Sequence, residues 1–292
     1  MKVDNAIIMA AGTSSRFVPL CCEKPKALIE VKGEVLIERQ IRQLKDAGVH
    51  AIYVVTGYKA EQFAYLQDKF GVCLIYNPEY EIRNNHASIW AAKHVLKNSY
   101  VCSADNYFSI NPFETEVDSA YYAAKYADGY TDEWCMGEDT AGNICSVSIG
   151  GSHSWYMLGH TFWSKEFSEI FLSILEKEYN FPETKGKLWE KIFMEHLDTL
   201  KMKIRKYQDN DIFEFDTLDE LRLFDKTYQN DTRSKVLKQI AATLKVSESK
   251  IIHIVPLKSD KENRVSGFTF ECENCYYAYS LAKGRLINTE ES

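Results

Sequence analysis

The sequence lacks several features that would place it in a common class of protein. No apolar run reaches the length needed to cross a bilayer, and the N-terminus, with Lys2 followed closely by Asp4, lacks the hydrophobic region of a signal peptide. Basic residues are not in excess, because the net charge is −7, which argues against a general surface for nucleic acid or an anionic membrane. We therefore expect a cytoplasmic protein with no membrane and no nucleic-acid partner.

The cysteines do not form a disulfide framework, since the eight of them are scattered through the chain. Cys272 and Cys275 have the spacing of a zinc or redox pair. However, no second pair lies at a suitable distance, and Glu273-Asn274 suits a hairpin turn between two alternating strands. We therefore interpret residues 272–275 as a hairpin and expect free thiols, as in a reducing compartment.

What the sequence does contain is enough apolar material for a large core. The 292 residues, 45% of them hydrophobic, suffice for one large domain or for a large and a small one. Strands and helices alternate over the first hundred residues, which predicts a parallel sheet with right-handed crossovers. The predicted strands are 5–10, 51–55, 72–76 and 99–103, and the predicted helices are 34–47, 60–70 and 85–96.

The pattern changes after residue 119 to consecutive β segments, which we expect to extend the sheet and form a lid. A polar stretch at 229–233 predicts a boundary between a domain at 1–230 and a small α+β module at 231–292. The lid segments are predicted at 119–125, 133–137, 143–149 and 155–163. They are followed by helices at 164–179 and 187–197, two final core strands at 202–207 and 212–215, and a helix at 217–228 with a capping box at Thr217 and Glu220. In the module we expect a helix at 234–244, a turn or short helix at 247–252, and a hairpin at 265–271 and 276–282.

The loop that closes the first strand has the composition of a phosphate-binding nest. Ala10-Ala11-Gly12-Thr13-Ser14 are small or hydroxylic residues whose backbone N–H groups can point at a polyphosphate. Arg16 supplies a fork for phosphate oxygens, and Pro25 stiffens the approach to Lys26. An ordinary turn with a solvated basic cluster is the alternative, and the combination of strand, nest, Arg and Pro-Lys favours phosphate binding.

Two aspartates follow predicted strands at the edge of the sheet where ligands bind. Asp105 comes after the strand 99–103, and Asp216 follows the strand 212–215. Two carboxylates together with phosphate oxygens suit octahedral Mg²⁺. Asp216 alternatively caps the next helix, although Thr217 can take that role. Glu214 projects to the same side as Asp216 and is a less certain companion.

These motifs resemble those of the sugar-nucleotidyltransferase superfamily, in which the nest loop and a Pro-Lys pair recur. Within it, residues 1 to about 230 are similar to the bacterial CTP:phosphocholine cytidylyltransferases. One departure is Ser14, which stands where the second glycine is usual and tolerates a positive φ less readily. The segments that carry this likeness are Arg83-Asn84-Asn85-His86-Ala87-Ser88, Ala104-Asp105-Asn106, Thr131-Asp132-Glu133-Trp134 and Phe213-Glu214-Phe215-Asp216.

The resemblance implies a Rossmann-like α/β fold with a mainly parallel mixed sheet and a β-rich acceptor lid. It implies a Mg²⁺-dependent transfer of the cytidylyl group from CTP to phosphocholine, which gives CDP-choline and pyrophosphate. The catalytic residues that the resemblance implies are Arg16, Lys26, Asp105 and Asp216, of which Asp105 and Asp216 are expected to hold the metal. The nucleotide-binding residues it implies are Ala10, Ala11, Gly12, Thr13, Ser14, Arg16, Asn84, Asn85 and Ser88, and the acceptor-binding residues are Lys26, Trp134, Trp189 and Glu190.

Several alternatives stay open at this point. The acceptor can instead be phosphoethanolamine, a phosphonate or a sugar 1-phosphate, and a non-catalytic nucleotide-binding module is a second class of function. Asn84 and Asn85 suit a turn and helix N-cap as well as base recognition, and both tryptophans suit core packing. Residues 263–271 resemble a strand of bacterial choline kinases, but we expect no phosphotransfer from the module. We expect it to provide packing or a homodimer contact, so that a chain ending at Thr232 would stay competent.

Overall fold

A computed structural model describes residues 1–258 and 265–287 of the chain. These residues form two compact units, each built from two separate stretches of sequence. The first unit comprises Met1–Gly12 and Leu36–Glu214, and the second comprises Thr13–Val35 and the described residues from Phe215 onward. No helix in the part of the chain that the structure describes is long and apolar enough to cross a membrane.

The strands, in chain order, are β1 (Asn5–Ala10), β2 (Glu30–Val31), β3 (Glu34–Val35), β4 (Ile52–Thr56), β5 (Cys73–Tyr76), β6 (Ser99–Ser103), β7 (Tyr107–Phe108), β8 (Tyr121–Glu138), β9 (Ile144–Trp163), β10 (Lys203–Lys206), β11 (Ile212–Phe213), β12 (Ile252–Lys258), β13 (Val265–Cys272), β14 (Cys275–Ser280) and β15 (Arg285–Ile287). The helices are α1 (Leu20–Glu23), α2 (Leu36–Asp46), α3 (Tyr65–Phe70), α4 (His86–Ala91), α5 (Lys165–Glu178), α6 (Trp189–Glu195), α7 (Leu218–Phe224) and α8 (Lys235–Leu244). Short 3₁₀ turns occupy Ser15–Phe17, Lys26–Leu28, Ala60–Phe63, Pro182–Thr184, Lys226–Tyr228 and Glu248–Lys250.

The first unit contains a seven-stranded sheet in the order β10-β8-β9-β6-β1-β4-β5. β1 pairs in parallel with both β4 and β6, while β9 runs antiparallel to β6 and β8. The prediction of a mainly parallel mixed sheet is therefore confirmed. β1 is an interior strand of this sheet, and its apolar run is buried on both faces: Ala6, Ile7 and Ile8 are 0% exposed.

Local sequence signals determine where several helices of the first unit begin and end. α2 buries Leu36, Ile37 and Leu44 and is followed by Gly48 at φ +87°, a left-handed glycine of the kind that commonly ends a helix. Ser164 caps α5, accepting from the backbone N–H of Phe167 at 3.1 Å. The predicted helix 85–96 is shorter, because the chain tightens at Ala92, whose N–H reaches Ile89 O.

The lid is a single long hairpin rather than four short strands. β8 and β9 pair from Tyr121 to Glu138, with several shifts of register along the ladder. These β-bulges add unpaired residues and interrupt the regular alternation of side chains, so sequence periodicity divides each long strand in two.

The predicted final core strand at 212–215 is also different, because β11 does not join the large sheet. It pairs antiparallel with β7, Phe213 lying opposite Tyr107, in a separate two-stranded ribbon. β10, by contrast, joins the large sheet beside β8 as predicted.

The second unit contains the small β2-β3 hairpin and a four-stranded sheet in the order β12-β13-β14-β15. The hairpin at 272–275 is confirmed: Glu273 and Asn274 have φ values of 49° and 64°, and the eight cysteines are free. The sequence did not predict β12, an edge strand that contains Pro256 and a bulge.

The domain boundary near residue 230 stays a prediction. The structure groups the described residues beyond 230 with residues 13–35 and 215–230. Asn263, where the choline-kinase likeness begins, lies outside the described residues.

Candidate active site

The nest loop leaves β1 at Ala10 and places its left-handed residue at Ser14. Ala10 and Ala11 are buried, and Ala11 O accepts a hydrogen bond from the N–H of Tyr58 at 3.0 Å. Ser14 has φ 50° and ψ 44°. The departure from the usual glycine therefore falls on the residue that adopts the conformation favouring glycine.

Arg16, Lys26 and Asp216 meet in the second unit. Arg16 Nη1 lies 2.6 Å from Asp216 Oδ2, and Lys26 Nζ lies 3.9 Å from Asp216 Oδ1. The Lys26 side chain is only 5% exposed, whereas that of Arg16 is 70% exposed. The Asp216 carboxylate therefore supplies a counter-charge to both cations that the sequence assigns to phosphate binding.

Asp216 can face these cations because Thr217 caps the following helix. Thr217 Oγ1 accepts from the N–H of Glu220 at 3.2 Å, as the capping box predicts. The Glu220 carboxylate accepts instead from the N–H of Asp216 at 2.7 Å.

The loop after β6 carries Asp105 and Asn106 in the first unit. Asn106 is 1% exposed and donates from Nδ2 to Glu214 Oε2 at 3.2 Å. The β7-β11 ribbon, which directly precedes Glu214, brings these two residues together. Asp105 thus belongs to the first unit and Asp216 to the second.

The turn at 83–86 is tied by hydrogen bonds to the segment 179–190, about one hundred residues away. Asn85 donates to Glu190 Oε2 at 3.0 Å and accepts from the Trp189 N–H at 2.7 Å. Asn84 donates from Nδ2 to Gly186 O at 3.0 Å, and His86 Nδ1 lies 2.7 Å from Lys187 O. Asn85 occupies the N-cap position of α4 without a capping side-chain bond, so its amide group is used by the distant segment.

Glu190 carries a carboxyl group whose pKa differs from its ordinary value. It accepts from Asn85 and, at 3.3 Å, from the hydroxyl of Tyr122. Burial raises the pKa of Glu190 to about 7, and the hydrogen bonds from Asn85 and Tyr122 only partly oppose this. Tyr122 could not be predicted as a member of this group, because its position in a β segment carries no signal beyond its aromatic ring.

The two tryptophans assigned to the acceptor differ in exposure. Trp189 is 1% exposed and stacks on Tyr122 with ring centroids 5.7 Å apart, and its ring also contacts Trp163 at 5.0 Å. Trp134 on β8 is partly buried against the core of the first unit. Ser88, assigned to the nucleotide, is buried and accepts from Asn77 Nδ2 at 3.3 Å.

No cluster of three or more His, Cys, Asp or Glu side chains within residues 1–258 and 265–287 is arranged to hold a metal ion. The two assigned ligands are nevertheless carboxylates, the hard oxygen donors that Mg²⁺ prefers, and Mg²⁺ usually takes one or two of these together with substrate phosphates. Each of the two assigned residues therefore has the donor chemistry to ligate a divalent metal together with substrate phosphates.

Comparison with known proteins shows which class of protein the chain resembles. Residues 6–109 match the MobA-like NTP transferase domain. The choline-phosphate cytidylyltransferase of Streptococcus pneumoniae is 31% identical over 78% of this chain and 99% of its own length. The 2-aminoethylphosphonate cytidylyltransferase of Lancefieldella rimae is 34% identical over 77% of this chain and 93% of its length. The solved CTP:phosphocholine cytidylyltransferase of S. pneumoniae superimposes with a TM-score of 0.74 at 32% identity, covering 78% of this chain and 99% of that one.

The sheet, the basic loop and these matches define a nucleotidyltransferase. More narrowly, the chain belongs to the family of cytidylyltransferases that includes the choline-phosphate enzymes.

Proposed function

We propose that this protein transfers the cytidylyl group of CTP to phosphocholine, forming CDP-choline and pyrophosphate. The observation that carries the proposal is the grouping of Arg16 and Lys26 on Asp216 in a chain of this family. A phosphate oxygen of the acceptor attacks the α-phosphorus of CTP. The bond from that phosphorus to the bridging oxygen of the β-phosphate breaks, and pyrophosphate leaves with the electron pair.

Both substrates are anionic, so positioning and charge neutralisation supply most of the catalysis, and no protein nucleophile is required. We assign Arg16 to the β- and γ-phosphates, where its fork neutralises the departing pyrophosphate. Lys26 is assigned to the α-phosphate and the acceptor phosphate. Its burial supports this role, because a poorly solvated ammonium interacts strongly with an incoming anion.

Asp105 and Asp216 are proposed to hold the metal, taken to be Mg²⁺. When bound, this ion would neutralise phosphate charge and orient the phosphate oxygens. The nucleotide is proposed to lie against Ala10 to Ser14, against Asn84 and Asn85 in the turn before α4, and against Ser88 on α4.

A second acceptor, 2-aminoethylphosphonate, is favoured by a specific observation. A primary ammonium donates hydrogen bonds and a quaternary one cannot. The carboxylate of Glu190, held by Asn85 and Tyr122, is an acceptor for such bonds, whereas Trp189 is buried among aromatic residues. The Lancefieldella relative is an enzyme for this phosphonate.

A matrix of nucleotides and acceptors, followed as pyrophosphate release with Mg²⁺, tests both assignments. CTP, UTP, GTP and ATP would each be combined with phosphocholine, phosphoethanolamine, 2-aminoethylphosphonate and glucose 1-phosphate. We expect turnover with CTP and phosphocholine. A higher kcat/KM with 2-aminoethylphosphonate would establish the second acceptor, and turnover with the sugar phosphate alone would refute both. The cytoplasmic location and the homodimer stay predictions from the sequence.

A further inference from the structure

We infer that the C-terminal segment, residues 231–258 with 265–287, positions Arg16 and Lys26, the two residues assigned to phosphate, and Asp216, the carboxylate that pairs with both. The segment then has a positioning role through a few defined contacts, and is not an appended module. The inference rests on the proposed function for what these residues bind, and on contacts within the second unit for how they are held.

The first contact holds the loop that leads to Lys26. The carboxylate of Glu23, three residues before Lys26, accepts from Ser234 Oγ at 2.5 Å, from the Lys235 N–H at 3.0 Å and from the Val236 N–H at 3.3 Å. These donors lie at the start of α8, where a negative charge is stabilised by unpaired N–H groups. Glu23 is therefore attached at three points to the C-terminal segment.

The second contact lies next to Arg16. The 3₁₀ turn Ser15–Phe17 packs against β12, and Phe17 is 2% exposed. The ring of Phe17 also lies 5.7 Å from the ammonium of Lys26. The turn that carries Arg16 therefore contacts the C-terminal segment, and its buried Phe17 also contacts one of the two cations.

The third contact fixes the helix that follows Asp216. Arg222 on α7 is 3% exposed and donates to Ile251 O at 2.6 Å and to Glu248 O at 2.7 Å. Asp219, on the same helix, accepts from the His253 N–H at 2.8 Å. A buried guanidinium that donates to two carbonyls cannot be displaced without leaving polar groups unpaired.

Arg16, Lys26 and Asp216 therefore lie in or next to short stretches of chain that contact the C-terminal segment. The alignment with the S. pneumoniae relative covers 99% of that protein but 78% of this chain, so that relative lacks part of what this chain carries. The inference reverses the expectation that a chain ending at Thr232 would stay competent.

The test compares full-length variants by their affinity for inorganic pyrophosphate in the presence of Mg²⁺, measured by calorimetry, and by kcat. Glu23→Ala removes the attachment to α8 without touching Arg16, Lys26 or Asp216. The matched control is Lys238→Ala, at a position on the same helix, α8. This substitution removes the 2.8 Å ion pair of Lys238 with Asp231. Calorimetry separates two effects, because unfolded protein lowers the number of sites at unchanged affinity, whereas displaced cations lower the affinity itself.

We expect Glu23→Ala to weaken pyrophosphate binding and to lower kcat about 10- to 100-fold, with a wild-type number of sites, while Lys238→Ala stays within about twofold of wild type. Wild-type affinity and kcat in Glu23→Ala would overturn the inference. If that variant does not fold, Glu23→Gln and Ser234→Ala are measured in the same way. Wild-type affinity and kcat in both of these variants would also overturn the inference. A wild type that binds pyrophosphate but releases none from CTP with any acceptor would refute the proposed function, while the affinity comparison would still decide this inference.

Discussion

The raised pKa of Glu190 leads to a quantitative prediction about how the free energy of unfolding depends on pH. Burial raises its pKa from the ordinary value of 4.5 to about 7 in the folded protein. Between these two pH values the folded protein keeps a proton that the unfolded chain has released. Raising the pH therefore favours unfolding, and the loss is complete above the folded-state pKa. A pKa shift of this size corresponds to about 3–4 kcal/mol. Because the Glu190 side chain is only partly buried and solvent screens it, we expect about 2–3 kcal/mol.

The substitution that isolates this effect is Glu190→Gln. A glutamine can accept from Asn85 through its oxygen and donate to the oxygen of Tyr122, so both neighbours stay paired. Because glutamine does not titrate, the variant should gain about 2–3 kcal/mol relative to wild type as the pH rises from 4.5 to 8.

The assay is urea unfolding followed by circular dichroism at several pH values, with the difference between variant and wild type as the measured quantity. Other groups titrate in the same range, and burial lowers the pKa of His86, but their contributions cancel in the difference. Glu176→Gln, at an exposed position on α5, is the control and should show no such trend. A Glu190→Gln difference that is constant with pH would refute the reasoning.

Three further predictions concern the loop and the proposed substrates. Asp105→Ala should lose nearly all turnover while keeping its melting temperature, and turnover at ordinary Mg²⁺ concentrations would exclude Asp105 as a metal ligand. Trp134→Ala should raise KM for phosphocholine roughly 2- to 30-fold, the value of one aromatic wall for a cation, and should leave KM for CTP unchanged; an equal rise in both KM values would contradict a choline-binding role. Ser14→Val should destabilise the protein by about 1–2 kcal/mol in urea unfolding, because a β-branched residue is strained at positive φ, whereas Ser14→Gly should not; equal stability of the two variants would disprove strain at this position.

Features set by neighbouring residues could be predicted from the sequence. The central strand Asn5–Ala10 follows from an uninterrupted apolar run, and the end of α2 at Gly48 follows from the need for a left-handed residue. Thr217 was expected to cap α7, which it does. Each of these features depends on interactions within a few residues, so composition and spacing determine them.

Features set by distant contacts could not be predicted in this way. Glu23 and Ser234 are separated by 211 positions, and nothing in the local pattern of either indicates the other. The amide of Asn85 suits a helix cap by residue type, yet it bonds with Trp189 and Glu190. The partner of a short strand such as β11 is likewise decided by tertiary contacts.

The interleaving of the two units has a consequence for synthesis on the ribosome. Residues 13–35 are made early, but the rest of their unit begins at Phe215. At typical elongation rates, about 180 further residues require roughly 10–40 s. During that time Phe17 and Leu28, which are buried in the finished protein, have no completed unit in which to pack. The nascent chain therefore presents an apolar segment to chaperones before Arg16 and Lys26 acquire their carboxylate partner.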